Sequence, residues 1–167
     1  MLATTQTFCS KVKKEEEPVW LTLLGSSGIG KTHAANEVWK WLKGREGFNR
    51  PSHDHYPVKL YWPKFIEQLR DQESAARRIL VDAMSWKFLY IDDIFAERDS
   101  TGFSVDMFAK LIGARHNRFT IITSNKHLKE IEEIDVRMSD RILRGGLVSD
   151  CNLDSWQTVK GDYEKTA

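Results

Sequence analysis

The 167-residue chain has only two cysteines, no long hydrophobic run and a net charge of just +1 at neutral pH. Each shortage narrows the field. Cys9 and Cys151 form no metal-ligand spacing. No apolar segment approaches the length needed to span a bilayer. The start, MLATTQTFCSKVKKEEEPVW, lacks an apolar stretch behind basic residues and so does not read as a secretory signal. The expectation is a cytoplasmic protein with no membrane partner. A balanced charge removes the argument that a basic protein is drawn to polyanions, so any nucleic-acid contact must come from local patches. No internal repeat is visible. What remains is globular usage, 41% hydrophobic and 29% charged, at a length that suits one domain.

Along the chain, residues 1–17 are polar and end in KKEEE, which predicts a mobile, solvated arm before a domain over 18–167. Val19 to Leu24 is a short apolar run closed by Gly25, the pattern of a strand buried on both faces. Ala34, Ala35, Val38, Trp39 and Leu42 then recur at helical spacing, and Gly44 stands where a left-handed cap would end that helix. Residues 44–56 have loop composition, and PVKLYW reads as a second strand. Pro63 fits the first turn of a helix striped with Phe65, Ile66 and Leu69. A second stripe follows in Ala76, Ile79, Leu80, Ala83 and Met84. KFLYI is a third strand, ending in Asp92 and Asp93, and Ser104 is placed to cap a helix burying Val105, Phe108, Leu111 and Ile112. FTIIT is a fourth strand. The helix DVRMSDRIL stops at Gly145 and Gly146, and SWQTV is a weaker fifth-strand candidate. Alternating strands and helices predict an α/β fold with a mostly parallel sheet and a ligand site at the carboxyl ends of the strands.

The first strand-to-helix junction carries Gly25, Ser26, Ser27, Gly28, Ile29, Gly30, Lys31, Thr32 and His33, which fits the phosphate-binding pattern G-x-x-x-x-G-K-[ST]. Bare backbone there lets N–H groups turn inward around a polyphosphate, and the helix dipole adds to them. Lys31 reaches the β/γ oxygens and the Thr32 hydroxyl binds Mg²⁺. Asp92 and Asp93 end a buried strand about 60 residues on, where such a sheet needs one carboxylate for the metal and a group to orient the attacking water. Asp92 is assigned to Mg²⁺ and Asp93 to the water. Asn125, at the end of the fourth strand, reads either as a turn-forming residue or as an amide that holds the water or γ-phosphate. Arg137, Arg141 and Arg144 share one helix face, either as a solvated basic surface or with one arginine reaching the γ-phosphate of a neighbouring subunit.

In this order, the P-loop, the strand-end DD, the strand-end TSN and the DVRMSDRI helix resemble the AAA+ ATPases of the initiator and helicase-loader group. The likeness is to the DnaC/DnaI helicase loaders and the related IstB transposition ATPase, over about residues 19–161. It implies a five-stranded sheet of order 5-1-4-3-2, ATP and Mg²⁺ as ligands, and Arg141 as the arginine finger with Arg137 as a partner. It also implies self-association through the ATP sites on single-stranded DNA and delivery of a replicative helicase, or in the IstB branch direction of a transposase. Residues 142–167 are too few for the helical lid that usually carries a second nucleotide-sensing arginine. Many AAA+ proteins have Glu where Asp93 stands, and the shorter side chain points to slow hydrolysis. Two further readings stay open, a nucleotide-gated adaptor that scarcely turns over and a P-loop kinase of a small metabolite. No guanine-reading motif is visible, which favours adenine.

Among the other residues, Trp62 and Phe65 are weighed as base-stacking platforms against the core. His53 and His55 are weighed as metal ligands against a polar loop. His33 falls near the α-phosphate by position, with packing as its simpler role.

Overall fold

The computed structural model describes residues 1–14, 16–45, 57–97 and 99–151. The chain enters through α1 (Leu2–Lys13), continues into β1 (Trp20–Gly25) and α2 (Lys31–Lys43), and then β2 (Val58–Tyr61), α3 (Trp62–Arg70) and α4 (Ser74–Ser85). β3 (Phe88–Ile94), α5 (Phe103–Gly113) and β4 (Phe119–Ser124) follow, then α6 (Leu128–Ile134), α7 (Val136–Arg144) and β5 (Gly146–Cys151). The five strands form one parallel sheet in the order β2-β3-β4-β1-β5, the order expected.

Strand periodicity decides which helices cover which face. Side chains alternate across a strand, so Leu21 and Leu23 of β1 point with Phe88 and Tyr90 of β3 to one face. There they meet Ala35, Val38, Trp39 and Leu42 of α2. Trp20 and Leu24 point with Leu89 and Ile91 to the other face, against Trp62, Phe65 and Ile66 of α3, Leu80 of α4, Phe108 of α5 and Met138 and Ile142 of α7. Both faces being covered, the central strands β1 and β4 are buried along their whole length.

Several expectations need correction. Residues 2–13 are a packed helix rather than a mobile arm. Phe8 is fully buried edge-on to the Phe119 ring, at 5.9 Å between centroids, and Val12 lies with it against the α2 side of the sheet. Gly44 closes α2 in a right-handed conformation, φ −77°, because α2 ends on hydrogen bonds from the Gly44 N–H to the Lys40 carbonyl (3.0 Å) and from the Arg45 N–H to the Leu42 carbonyl (3.2 Å) and needs no left-handed turn. The cap of α5 is Asp99, whose Oδ2 accepts from the N–H groups of Ser104 (2.7 Å) and Val105 (3.4 Å). Ser104 is already inside the helix, where its hydroxyl donates to Glu97 and accepts from Trp62 Nε1 at 2.9 Å. The fifth strand is Gly146–Cys151, directly after α7, since pairing with β1 begins at Trp20 opposite Gly146. SWQTV, His53, His55 and most of the loop over 44–56 lie outside the described residues. Trp62 is fully buried and edge-on to Phe108 at 5.5 Å, and Phe65 is buried beside it, so neither presents a ring to a base.

One buried cation went unnoticed in the sequence. Arg115 has no exposed surface and spends its fork on the carbonyls of Ala83, Trp86 and Phe119 and the Thr120 hydroxyl. It thereby fastens the end of α4 to the start of β4, and burial, then the charge of Arg118, pulls its pKa down to about 9.

Candidate functional site

The carboxyl ends of β1, β3, β4 and β5 converge on the Gly25–Thr32 turn. Gly25 owes its identity to sheet packing: a Cβ there would lie 2.0 Å from the Cys151 carbonyl oxygen of β5, and its φ is +120°. Gly28 and Gly30 turn the chain with φ of +85° and +87°, and nothing stands within 4 Å of where their side chains would be. That open concavity lies directly before α2, whose first turn has neither an acidic residue nor a side-chain cap. Its free N–H groups and dipole make an anion seat. Ile29 is buried and anchors the turn, whereas Ser26 is half-buried and Ser27 exposed.

Lys31 is buried, and its ammonium donates to the carbonyls of Gly25 (2.6 Å) and Ser26 (2.7 Å) and to Asn125 Oδ1 (3.0 Å). Burial lowers its pKa, opposed by the negative charge of Asp93. The other end of the Asn125 amide donates to Asp93 Oδ1 at 2.7 Å. One amide thus joins the cation to the carboxylate in the orientation chemistry demands, oxygen toward ammonium and N–H toward carboxylate. Asn125 thus lies in the bend after β4 and also bridges Lys31 and Asp93.

Asp92 and Asp93 owe their separation to an irregularity in the sheet. The β3–β4 register shifts between Ile91 and Ile94, and Asp93 takes φ +64°. The Thr123 hydroxyl fills the gap, accepting from the Asp93 N–H (2.9 Å) and donating to Asp92 Oδ1 (2.7 Å). Asp92 turns to the α2 face, where Tyr90 O–H donates to Oδ1 at 2.7 Å, Thr32 Oγ1 lies 3.4 Å away, and Lys59 Nζ is 3.0 Å from Oδ2. Burial alone would raise its pKa, but the hydrogen bonds from Tyr90, Thr123 and Lys59 outweigh this and hold it below the usual aspartate range. Asp93 moves the opposite way, raised by burial and then by the charge of Asp92. Tyr90, driven up chiefly by burial and then by its bond to Asp92, stays a phenol.

The Thr32 hydroxyl and the Asp92 carboxylate form a hard-oxygen pair beside the anion seat. Such a donor set suits Mg²⁺, which takes most of its remaining ligands from water and phosphate. A second set of bonds braces the floor of the site. Gly25 N–H donates to the Lys126 carbonyl (3.4 Å), His127 Nδ1 meets Asp150 Oδ1 at 2.6 Å, and Leu128 N–H donates to Asp150 Oδ2 at 2.9 Å. The β4–α6 turn is therefore tied to both β1 and β5.

No protein-family model and no curated protein matches the chain. Solved structures do. DnaI superposes with a TM-score of 0.68 at 23% identity, over 90% of this chain and 83% of that one. The DnaC helicase loader gives 0.59 at 21%, over 86% of each chain. The replication initiator DnaA bound to AMPPCP and single-stranded DNA gives 0.59 at 18%, over 90% of this chain and 45% of that one. The chain shares its fold with these DnaI, DnaC and DnaA structures. Its five-stranded order, with the P-loop between β1 and α2, is common ground between the sequence and this architecture.

Not every expected residue reaches the P-loop. Arg141 donates to the Ala109 carbonyl of α5 at 3.0 Å and lies over Gly113, beside Trp20 and Gly145. Trp20 begins β1 and the P-loop follows its end, so a strand of six residues, roughly 20 Å, separates the two. Arg137 is exposed and paired with Asp135, and Arg144 with Asp140. His33 is exposed on the first turn of α2. Sequence reasoning missed Tyr90, Thr123 and Lys59. Tyr90 was accessible through period two, since it shares a strand face with Asp92, while Thr123 and Lys59 depend on strand neighbours that only the sheet order supplies. No helix among the described residues is long and apolar enough to cross a membrane.

Proposed function

We propose that the chain is an ATP-hydrolysing module that assembles through its nucleotide sites on single-stranded DNA and acts in replication as a helicase-loader-like ATPase. The observation that carries this reading is the continuous link Lys31–Asn125–Asp93 at the mouth of an open glycine turn. It places a phosphate-binding cation, a polar positioner and an acid of raised pKa within one hydrogen-bonded group.

The chemistry follows from the geometry. The N–H groups at Gly28 to Thr32 would wrap the β- and γ-phosphates. Lys31 would exchange two backbone carbonyls for phosphate oxygens, a gain because those oxygens carry charge. Thr32 and Asp92 would hold Mg²⁺, whose charge neutralises the transferring phosphoryl group. Asn125 orients the attacking water between itself and Asp93, and the Asp93 carboxylate accepts its proton. Asp93 is held by a single amide and one strained backbone turn, which supports slow turnover. Arg141, hydrogen-bonded on α5 about a strand's length from its own P-loop, would serve the site of a neighbouring copy. The loader and initiator neighbours support a role in replication, and the DnaA structure with single-stranded DNA supports that polymer as the partner.

Calorimetry with Mg²⁺·ATP and phosphate-release assays on the intact chain, with and without single-stranded DNA, test the reading. Expected are saturable nucleotide binding, slow release quickened by DNA, and loss of binding in Lys31→Ala. A folded chain that ignores Mg²⁺·ATP overturns it. Binding without phosphate release would leave the nucleotide-gated adaptor. Phosphate transfer to a nucleoside would point to a kinase, and DNA-dependent recruitment of a transposase to the IstB-like role.

A further inference from the structure

Asp92 has no oxygen left over. Oδ1 takes the hydroxyls of Tyr90 and Thr123, with Thr32 nearby, and Oδ2 takes the ammonium of Lys59 at 3.0 Å. Lys59 belongs to β2 and pairs in register with Tyr90, so its stem crosses the phenol and its Nζ rests 4.5 Å from that ring centroid. Its third partner is Asn36 Oδ1 on α2, at 2.9 Å. A side-chain cation therefore rests on the carboxylate assigned to the metal, and two of its three contacts do not involve Asp92. The acid is largely shielded, with 8% of its side chain exposed, while the lysine keeps 31% and so has room to move.

We propose that Lys59 is a resident counter-cation for Asp92, holding Oδ2 until a magnesium-nucleotide takes it over. The idea rests on the reading of Asp92 as the metal acid given above. A +1 group a few ångströms from an arriving +2 ion opposes it unless it retreats. The Asn36 amide and the Tyr90 ring give Lys59 a seat that survives the loss of its carboxylate. The consequence is a threshold: the site resists free divalent ion, whose charge is not offset by phosphate, and loads when metal and triphosphate arrive together. Lys59 is in this sense a positioning residue, acting through Asp92. A merely structural ion pair would stabilise the fold and leave metal affinity unchanged.

The test compares the intact chain with Lys59→Gln, Lys59→Met and Lys59→Arg. Mn²⁺ affinity is read by electron paramagnetic resonance under a saturating non-hydrolysable ATP analogue, and metal-free nucleotide affinity with a fluorescent analogue in chelator. The Gln and Met variants are expected to bind Mn²⁺ about tenfold tighter or more, and Lys59→Arg to stay within about twofold of wild type. Metal-free nucleotide affinity should hold within about twofold in all of them. Gln keeps a donor toward Asp92, so the comparison survives if Met disrupts folding, which circular dichroism checks. Unchanged or weaker Mn²⁺ binding in a folded, uncharged variant overturns the proposal, as does a fall in metal-free nucleotide affinity, which would place Lys59 on the phosphates. If wild type binds no Mn²⁺-nucleotide at all, the reading of the site itself falls with it.

Discussion

Asp92 and Asp93 are adjacent in sequence, yet the fold pushes their proton affinities apart. Asp92 is below the ordinary aspartate range despite burial, because three hydrogen-bond partners favour its charge; Asp93 is above it, because burial and its neighbour's charge disfavour ionisation. Linkage fixes opposite signs for stability. Asp92 stabilises the fold above its unfolded pKa, and that contribution is lost as pH falls through its depressed folded value. Asp93, with the higher affinity for its proton in the folded state, costs stability when ionised, and the cost disappears as pH falls through its raised value. At neutral pH, Asp92→Asn should therefore destabilise by about 1–3 kcal/mol, since it takes the charge from the acceptor of the buried Tyr90 and Thr123 hydroxyls. Asp93→Asn should be neutral or stabilising, because Asn keeps an acceptor for Asn125 and tolerates a positive φ. Thermal unfolding of the two variants checks this. Equal destabilisation by both would refute the assignment of opposite environments. Turnover should vanish in Asp93→Asn, and in wild type should fall with acidification at a pH above that expected of an exposed aspartate.

The least expected element is α1. Its buried stripe is Thr5, Phe8 and Val12, three residues at helical spacing of which one is polar, so the apolar pattern was too thin to read against eleven exposed or half-exposed neighbours such as Lys11, Lys13 and Lys14. The helix is held by tertiary packing on β1, β4 and α2 rather than by its own amphipathicity. Removing the Phe8 ring leaves a cavity against Phe119 and should cost about 3–5 kcal/mol. Chemical denaturation of Phe8→Ala would show it, whereas a change below about 0.5 kcal/mol would return this segment to the status of a solvated arm. The contrast with β1–α2 is instructive. There the apolar run, the glycines and the lysine all lie within a few residues, so strand, turn, helix and ligand seat were legible together. Thr123 and Lys59 were not, because each reaches Asp92 from a neighbouring strand, and strand order is a property of the whole sheet. The same holds for Ser104, whose capping chemistry was recognised correctly in kind but belongs to Asp99, five residues earlier. The expected left-handed Gly44 likewise followed a composition rule that the helix had no need of.

At the scale of the molecule, the two halves of the proposed reaction lie at opposite edges of the sheet. The P-loop, Asp93 and Asn125 are at the carboxyl edge, and Arg141 packs on α5 near the amino end of β1. A guanidinium cannot span a strand's length, so no single copy can complete its own transition-state charge with Arg141. Two copies can, if the α5–α7 side of one faces the P-loop of the next. Such a head-to-tail contact repeats into a ring or a helix rather than closing as a pair. Specific activity should then rise with protein concentration, and both Lys31→Ala and Arg141→Ala should be inactive alone, the latter by about three powers of ten or more. Mixed in equal amounts, they should recover part of the wild-type rate, because a subunit with an intact P-loop meets a neighbour with an intact arginine. Arg141→Ala should still bind nucleotide with near wild-type affinity, since the arginine touches no part of its own site. Mixtures that stay inactive while both variants bind and assemble normally would remove Arg141 from the neighbour's site. A rate per chain that is independent of concentration would remove the shared site altogether.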